Sequence, residues 1–251
     1  MREKNVKLIL SFDGSGFYGW QRQKDKISIQ ETIENAGLKI FGKEIKIKGC
    51  GRTDSKVHGL SYVANFKIET DLKEEEIKGA FNSNLPPSIR IKKVEIEKDD
   101  FHSRYSAKSK VYRYLITQSP SPFLQRYAYY VKEKIDIKRM EIASKYIIGK
   151  HDFTSFCASG SSVKDKVREV KRIEIKEENF TIDPEIKILI IEIEADGFLY
   201  KMARNIVGTL IEVGKGKIEP EDVKKIIEAK DRKIAPPTPP PHGLYLKQVK
   251  Y

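Results

Sequence analysis

Gly49-Cys50-Gly51-Arg52-Thr53-Asp54-Ser55-Lys56-Val57-His58-Gly59 separates two runs in which apolar and polar residues alternate, Glu44 to Lys48 before it and Leu60 to Phe66 after it. Alternation at period two marks strands, so the stretch reads as a loop joining two strands. It sets an arginine, a threonine and an aspartate side by side between glycines. Glycine admits positive φ and sharp reversals, which allows Asp54 to be held at a sheet edge and aimed outward. A turn aspartate that caps its own backbone is the commoner outcome of such a pattern. A catalytic carboxylate is the other.

Working outward, Val6 to Phe12 alternates as a strand, and Ser28-Ile29-Gln30-Glu31 opens a helix with capping-box spacing. Ile29, Ile33, Ala36, Leu38 and Ile40 give that helix its apolar periodicity, and Gly42 ends it. Asp71 to Asn82 reads as a second helix, with Asp71 and Glu74 at capping-box spacing, broken by Leu85-Pro86-Pro87; Ile89 to Glu97 alternates as a strand. The order β-α-β-β-α-β is the split ferredoxin-like unit. The second half repeats it. Strands are expected at Lys110 to Thr117, Val167 to Lys176, Lys187 to Glu194 and Leu244 to Val249, with an extra short one at Tyr127 to Val131. Helices are expected at Asp136 to Ile148, from Phe198 to Val213 and from Pro220 to Ala229. The fold class is therefore α+β, two ferredoxin-like or RRM-like β-α-β-β-α-β halves, residues 1–105 and 106–251, whose sheets are expected to join across a central cleft. The proline-rich run from Asp231 to Pro241 is a rigid connector into the last strand.

The chain has 251 residues, 39% hydrophobic and 33% charged, with 48 Lys+Arg against 36 Asp+Glu and a net charge of +12. That excess favours a polyanionic partner, nucleic acid first. Two cysteines and four scattered histidines fit neither a metal spacing nor a disulfide framework. No apolar run approaches the roughly 20 residues that span a bilayer, and the N-terminus has no signal region. The expectation is a protein of the cytoplasm without metal, redox cofactor or membrane partner.

Three more stretches carry residues suited to chemistry. Asp13-Gly14-Ser15-Gly16-Phe17-Tyr18-Gly19-Trp20-Gln21 contains a Gly-x-Gly-x-x-Gly after a strand. Dinucleotide binding requires that motif to open directly into a helix, and here the helix begins later. An RNA-facing loop suits it better. Phe101 to Tyr114 interleaves tyrosines Tyr105, Tyr112 and Tyr114 with Arg104 and Arg113. That composition serves either a base-stacking platform or ordinary cross-strand packing. In Asp196 to Gly208, Phe198, Met202 and Ile206 continue to Leu210 as a core stripe at i,i+4 spacing, and Arg204 lies off it. By spacing alone Arg204 is a solvated helix residue or one half of an ion pair.

Gly51-Arg52-Thr53-Asp54 followed by Val57-His58 resembles the signature of the TruA family of tRNA pseudouridine synthases, in which this aspartate is the nucleophile. The chain departs from the family pattern at Ser55-Lys56, where Ala-Gly is usual, and at Gly59, where alanine is usual. Asp13-Gly14 through Trp20-Gln21 is similar to the family's first motif. Lys110-Val111-Tyr112-Arg113-Tyr114 is similar to its Arg-x-Tyr-Arg-Tyr region, whose first tyrosine, here Tyr112, contacts the target uridine. Gly197-Phe198-Leu199 through Arg204-Asn205-Ile206-Val207-Gly208 resembles the motif whose arginine pairs with the catalytic aspartate. Ala235-Pro236-Pro237 through Gly243-Leu244-Tyr245-Leu246 resembles its C-terminal ending.

The resemblance implies an isomerase that converts uridine to pseudouridine at positions 38, 39 and 40 of the tRNA anticodon stem-loop. The implied partners are tRNA and a second copy of the chain, with no cofactor and no metal. Asp54 is then the nucleophile, Arg204 the cation that keeps it ionised, Tyr112 the platform for an extruded base and Arg52 a contact near the displaced backbone. Two rivals are a non-catalytic RNA-binding module of paired RRM-like units and a nucleotide-acting enzyme such as a methyltransferase. The first lacks aromatics on its Ile-rich strands, and the second lacks a glycine-rich loop in its proper context.

Richness in Lys, Glu and Ile matches thermophile composition. Calorimetry is expected to give a melting midpoint above the mesophile range of about 45–65 °C; a midpoint inside that range refutes the assignment.

Overall fold

Val6, Leu8 and Leu10 are fully buried while Lys7, Ile9 and Ser11 are partly exposed, so along this stretch the first strand has one face on a core and one towards solvent. The computed structural model describes residues 3–251. The chain divides into two units, one running through Lys108 and taking in Tyr245–Tyr251, the other Ser109–Leu244.

In the first unit the order is β1 (Glu3–Phe12), α1 (Ile29–Phe41), β2 (Lys48–Gly49), β3 (His58–Glu69), α2 (Glu74–Asn84) and β4 (Ile89–Glu97). β1 lies between β4 and β3, antiparallel to both. Ser28 accepts from the Glu31 amide at the start of α1, as its spacing predicts. Leu38 is 44% exposed, so the buried face of α1 is Ile29, Ile33, Ala36 and Gly37 instead. α2 begins later than expected: its cap is Lys73, whose amide donates to Glu76 Oε2 at 2.7 Å, and Asp71 lies outside the helix. Phe66 of β3 and Phe81 of α2 meet edge-on at 5.9 Å, with Phe41 6.1 Å from Phe81, which ties both helices to one face of the sheet.

The run before the Asp54 loop is a strand over Lys48–Gly49 only, paired to Asn65 and Ala64. Ile45 and Ile47 are buried as the alternation predicts, but outside any strand. Beneath it the other face of β3 carries a buried amide network. Asn65 Nδ2 donates to Asn5 Oδ1 at 2.9 Å, Asn65 Oδ1 accepts from the Ser103 amide at 2.9 Å, and Asn5 Nδ2 donates to the carbonyls of Lys98 and Phe101. These bonds fasten residues 98–103 across β1 and β3.

The second unit holds β5 (Ser109–Thr117), β6 (Tyr129–Tyr130), α3 (Ile137–Ile147), β7 (Gly149–Asp152), β8 (Val167–Asn179), β9 (Lys187–Ala195), α4 (Met202–Gly214) and α5 (Asp222–Ala229). Its sheet runs β5-β9-β8-β7 with antiparallel neighbours, and β6 pairs in parallel with the end of β5. The short strand β7 does not show in the sequence pattern. β9 is buried along its length after Lys187, so its run of isoleucines is core rather than a surface for bases. α4 starts at Met202, four residues after Phe198, because Lys201 takes a left-handed conformation (φ 58°) that a helix cannot continue through. The last strand, β10 (Leu244–Lys250), runs parallel to β3, with Tyr245 opposite His58.

Asn65→Ala is expected to cost about 3 kcal/mol in urea unfolding, because it strands the Asn5 carboxamide oxygen and the Ser103 amide in the interior. A loss below about 1 kcal/mol would show that the network does not hold residues 98–103.

Candidate active site

The Asp54 loop follows from its anchors. The Cys50 amide donates to Val63 O at 2.9 Å, and the Tyr62 hydroxyl donates a short hydrogen bond to Gly51 O. Tyr62 is itself clamped by Trp20, stacked on it with centroids 4.2 Å apart. Beyond Gly51 the side chains alternate in exposure, with Arg52 exposed, Thr53 buried and Asp54 half-buried. The Val57 amide closes the turn onto the Asp54 carbonyl at 3.2 Å.

The glycine-rich segment after β1 packs against the back of this turn. The Trp20 amide donates to Thr53 O at 3.3 Å, the Lys56 amide to Phe17 O at 3.3 Å, and Ser55 Oγ to Phe17 O at 3.2 Å. A Cβ on Gly14 would stand 2.0 Å from Val57 O, and one on Gly19, which has φ +88°, 2.3 Å from Thr53 O. Gly14 and Gly19 of the Gly-x-Gly-x-x-Gly are thus explained by backbone pressed on backbone, while Gly16 has open space around it; the segment forms a 3-10 turn at Gly14–Gly16, and no helix opens directly from it. His58 closes the assembly. It is buried, accepts from the Gly14 amide through Nδ1 at 3.1 Å and stacks on Tyr245 at 4.7 Å.

Lys56 has φ +65°, a conformation that costs a residue with a Cβ about 1–2 kcal/mol. Its exposed side chain extends from the same turn that carries Asp54. The residue two before it, Asp54, and the exposed Arg52 make this a turn that displays one carboxylate between two cations in the sequence.

In the second unit Tyr112 lies in β5 opposite Ile193, half-buried, its ring edge-on to Phe198 at 4.8 Å. Its neighbours are structural. Arg113 donates through Nε and Nη2 to buried Glu192 at 2.8 and 2.6 Å. Tyr114 is 1% exposed and its hydroxyl donates to Pro240 O at 2.6 Å; burial pushes its pKa well up, against the pull of nearby Arg204. The aromatic–basic interleaving of β5 therefore resolves mainly into packing. Tyr105, 75% exposed under Arg104 and beside His102, remains outside, in the first unit.

Arg204 is not a solvated helix residue: it is 8% exposed. α4 is buried on nearly every side, Asn205 and Thr209 included, which the stripe read at i,i+4 did not reveal. Nε and Nη2 of Arg204 both donate to Pro239 O, at 2.9 and 2.7 Å. The proline run is thus more than a connector. The residues that sequence reasoning missed are those that hold it, Arg232, Asn205 and Thr238; the available signal was an arginine opening the run and an asparagine beside Arg204. Asp54 and Arg52 belong to the first unit, Tyr112 and Arg204 to the second.

The triad-like residues His151, Asp152, Ser155 and Cys157 are engaged separately. His151 Nε2 meets Ile148 O, Asp152 accepts from Thr154, and Ser155 Oγ accepts from the Asp231 amide. Among the described residues no group of three His, Cys, Asp or Glu side chains is placed to hold a metal ion, and no helix is long and apolar enough to cross a membrane.

A family model described as tRNA pseudouridine synthase matches residues 8–106 and 143–251. The chain is 44% identical over 250 residues to the tRNA pseudouridine synthase A of Acetivibrio thermocellus, covering 99% of this chain and 100% of the relative. It is 43% identical to that of Caldicellulosiruptor bescii with the same coverage, and 40% identical to that of Streptococcus pneumoniae over 98% of each chain.

Gly14→Ala is expected to destabilise the protein by at least about 2 kcal/mol, since no side chain can yield at a carbonyl. Gly16→Ala, with open space around its Cβ, is the control and should change little. Lys56→Gly should stabilise by about 1 kcal/mol by removing the left-handed penalty. Urea titration checks all three, and equal effects of Gly14→Ala and Gly16→Ala would refute the close-approach account.

Proposed function

Because the chain belongs to the tRNA pseudouridine synthase family, we propose that it isomerises uridine to pseudouridine at positions 38, 39 and 40 of the tRNA anticodon stem-loop, with Asp54 as nucleophile. The observation that carries the assignment is the intact Arg52-Thr53-Asp54 turn, braced from behind by a glycine-rich loop, in a chain aligned with its relatives from end to end. The resemblance alone supports action as a cytoplasmic homodimer.

The reaction is redox-neutral. The C1′–N1 bond of uridine breaks, the uracil turns, and C5 bonds to C1′; C5 loses a proton and N1 gains one. Attack of the carboxylate at ribose C1′ or at base C6 balances equally, and each returns the aspartate unchanged. A carboxylate shut away from water beneath a bound nucleotide needs a cation to stay ionised. Arg204 is the candidate, because the family resemblance pairs this arginine with the catalytic aspartate and its guanidinium is buried and oriented by the Pro239 carbonyl. The target base is out of reach while stacked, so it is extruded. Tyr112 is then its platform, already fixed edge-on by Phe198, and exposed Arg52 meets the displaced backbone. The net charge of +12 supplies the phosphate attraction that makes affinity fall steeply with salt.

Purified protein with unmodified tRNA transcript, and nothing else added, is expected to yield carbodiimide-dependent primer-extension stops at the three positions. Asp54→Asn should bind tRNA as the unaltered protein does and form no pseudouridine; full turnover by this variant would refute the nucleophile. Arg204→Glu should depress single-turnover rate on the order of a hundredfold or more, far beyond its effect on tRNA affinity. Equal losses in both would make Arg204 a phosphate contact instead.

A further inference from the structure

Residues Ala235 to Pro240 form a strap along α4 that is held chiefly through its carbonyl acceptors. Pro236, Pro237, Pro239 and Pro240 have no N–H and a fixed φ, which leaves the strap's carbonyls and the Thr238 hydroxyl as its main means of attachment. Arg232 does most of this. Its Nη1 donates to Ala235 O at 2.8 Å, and its Nη2 to Pro236 O at 2.9 Å, Thr238 Oγ1 at 3.2 Å and Asn205 Oδ1 at 3.2 Å. Thr238 Oγ1 in turn donates to Asn205 Oδ1 at 2.6 Å, and Asn205 Nδ2 to Phe156 O at 2.7 Å.

Asn205 is fully buried and adjoins Arg204 in α4. The strap lies hard on that helix: a Cβ at Gly208 would come within 2.8 Å of Pro237 O. Two further carbonyls are taken by different elements, Pro239 O by Arg204 and Pro240 O by Tyr114. Among the described residues the partners of the Arg232 guanidinium are neutral oxygens. A planar fork of five donors meets such a set where an ammonium cannot.

We propose that Arg232 is a positioning residue for the isomerisation: by clamping Ala235, Pro236, Thr238 and Asn205 together it places the Pro239 carbonyl that orients the Arg204 guanidinium. The inference rests on the role assigned to Arg204 above. It differs from a purely stabilising role, because a displaced strap would leave Arg204 charged but misdirected, and misplacement by about an ångström is enough to cost rate while binding survives.

The test is a double-mutant cycle on single-turnover pseudouridine formation with unmodified tRNA transcript, run well below every variant's melting temperature and accompanied by filter-binding affinities. Arg232→Lys is expected to slow turnover at least about tenfold with tRNA affinity unchanged, and to add nothing once Arg204→Lys is present, because both substitutions break the same linkage. Equal fractional losses in the two backgrounds, or a lowered melting temperature with unchanged rate, would overturn the proposal and leave Arg232 a stabilising residue. A wild-type rate for Arg204→Lys would instead remove the role of Arg204, and the inference with it. Should Arg232→Lys fail to fold, Thr238→Val takes its place in the cycle, with the same direction of effect expected and the same outcome overturning it.

Discussion

Direct contact of backbone with backbone is the constraint on which the Asp54 turn depends. At Gly14 and Gly19 no side chain intervenes between the loop after β1 and the carbonyls of Val57 and Thr53, and the amides of Trp20 and Lys56 are bonded across the same contact. The turn can neither slide nor swing without losing hydrogen bonds that no nearby group replaces. The backbone that carries Asp54 is therefore fixed before any substrate arrives, the form of preorganisation that its proposed role requires. The left-handed Lys56 fits the same picture: the surrounding contacts impose a conformation that the residue does not favour.

The second unit reaches a comparable rigidity by other chemistry. Its arginine at position 204 is buried in a helix that is itself enclosed, and it donates to a carbonyl from a segment of prolines. Prolines contribute stiffness and acceptors but no donors, so the carbonyls of such a segment take donors from elsewhere, and Arg232, Arg204 and Tyr114 supply them. Both candidate site arginine and strap are thereby fixed by a few charge-assisted or buried hydrogen bonds, each costly to leave unmade.

The basic residues divide by what faces them. Arg113, Arg204 and Arg232 donate to carboxylate or carbonyl oxygens inside the protein, and Lys7 lies between Glu95 and Glu97. Exposed Arg52 and Lys56 flank Asp54 along the chain, and Lys24 and Lys26 are exposed on the loop leading to α1. Exposed pairs contribute little to stability, so an excess of this kind matters for attracting a polyanion rather than for folding.

Much of this protein was determined by local sequence. The strands Val6 to Phe12 and Ile89 to Glu97, the Ser28 cap, and the Arg52-Thr53-Asp54 turn between strands could all be read because period, caps and glycines act over a few residues. What only tertiary structure decided were the features made by groups far apart in the chain: the burial of Arg204, the use of Gly14 against Val57, the pairing of Arg113 with Glu192, and the network from Arg232 to Asn205. A helix stripe records which side is most apolar, but not whether the remaining sides are also covered, and α4 is covered by a segment that begins nearly twenty residues after it ends. Enclosure depends on what else the chain brings alongside, and that is fixed by packing over the whole unit rather than by any window of neighbours.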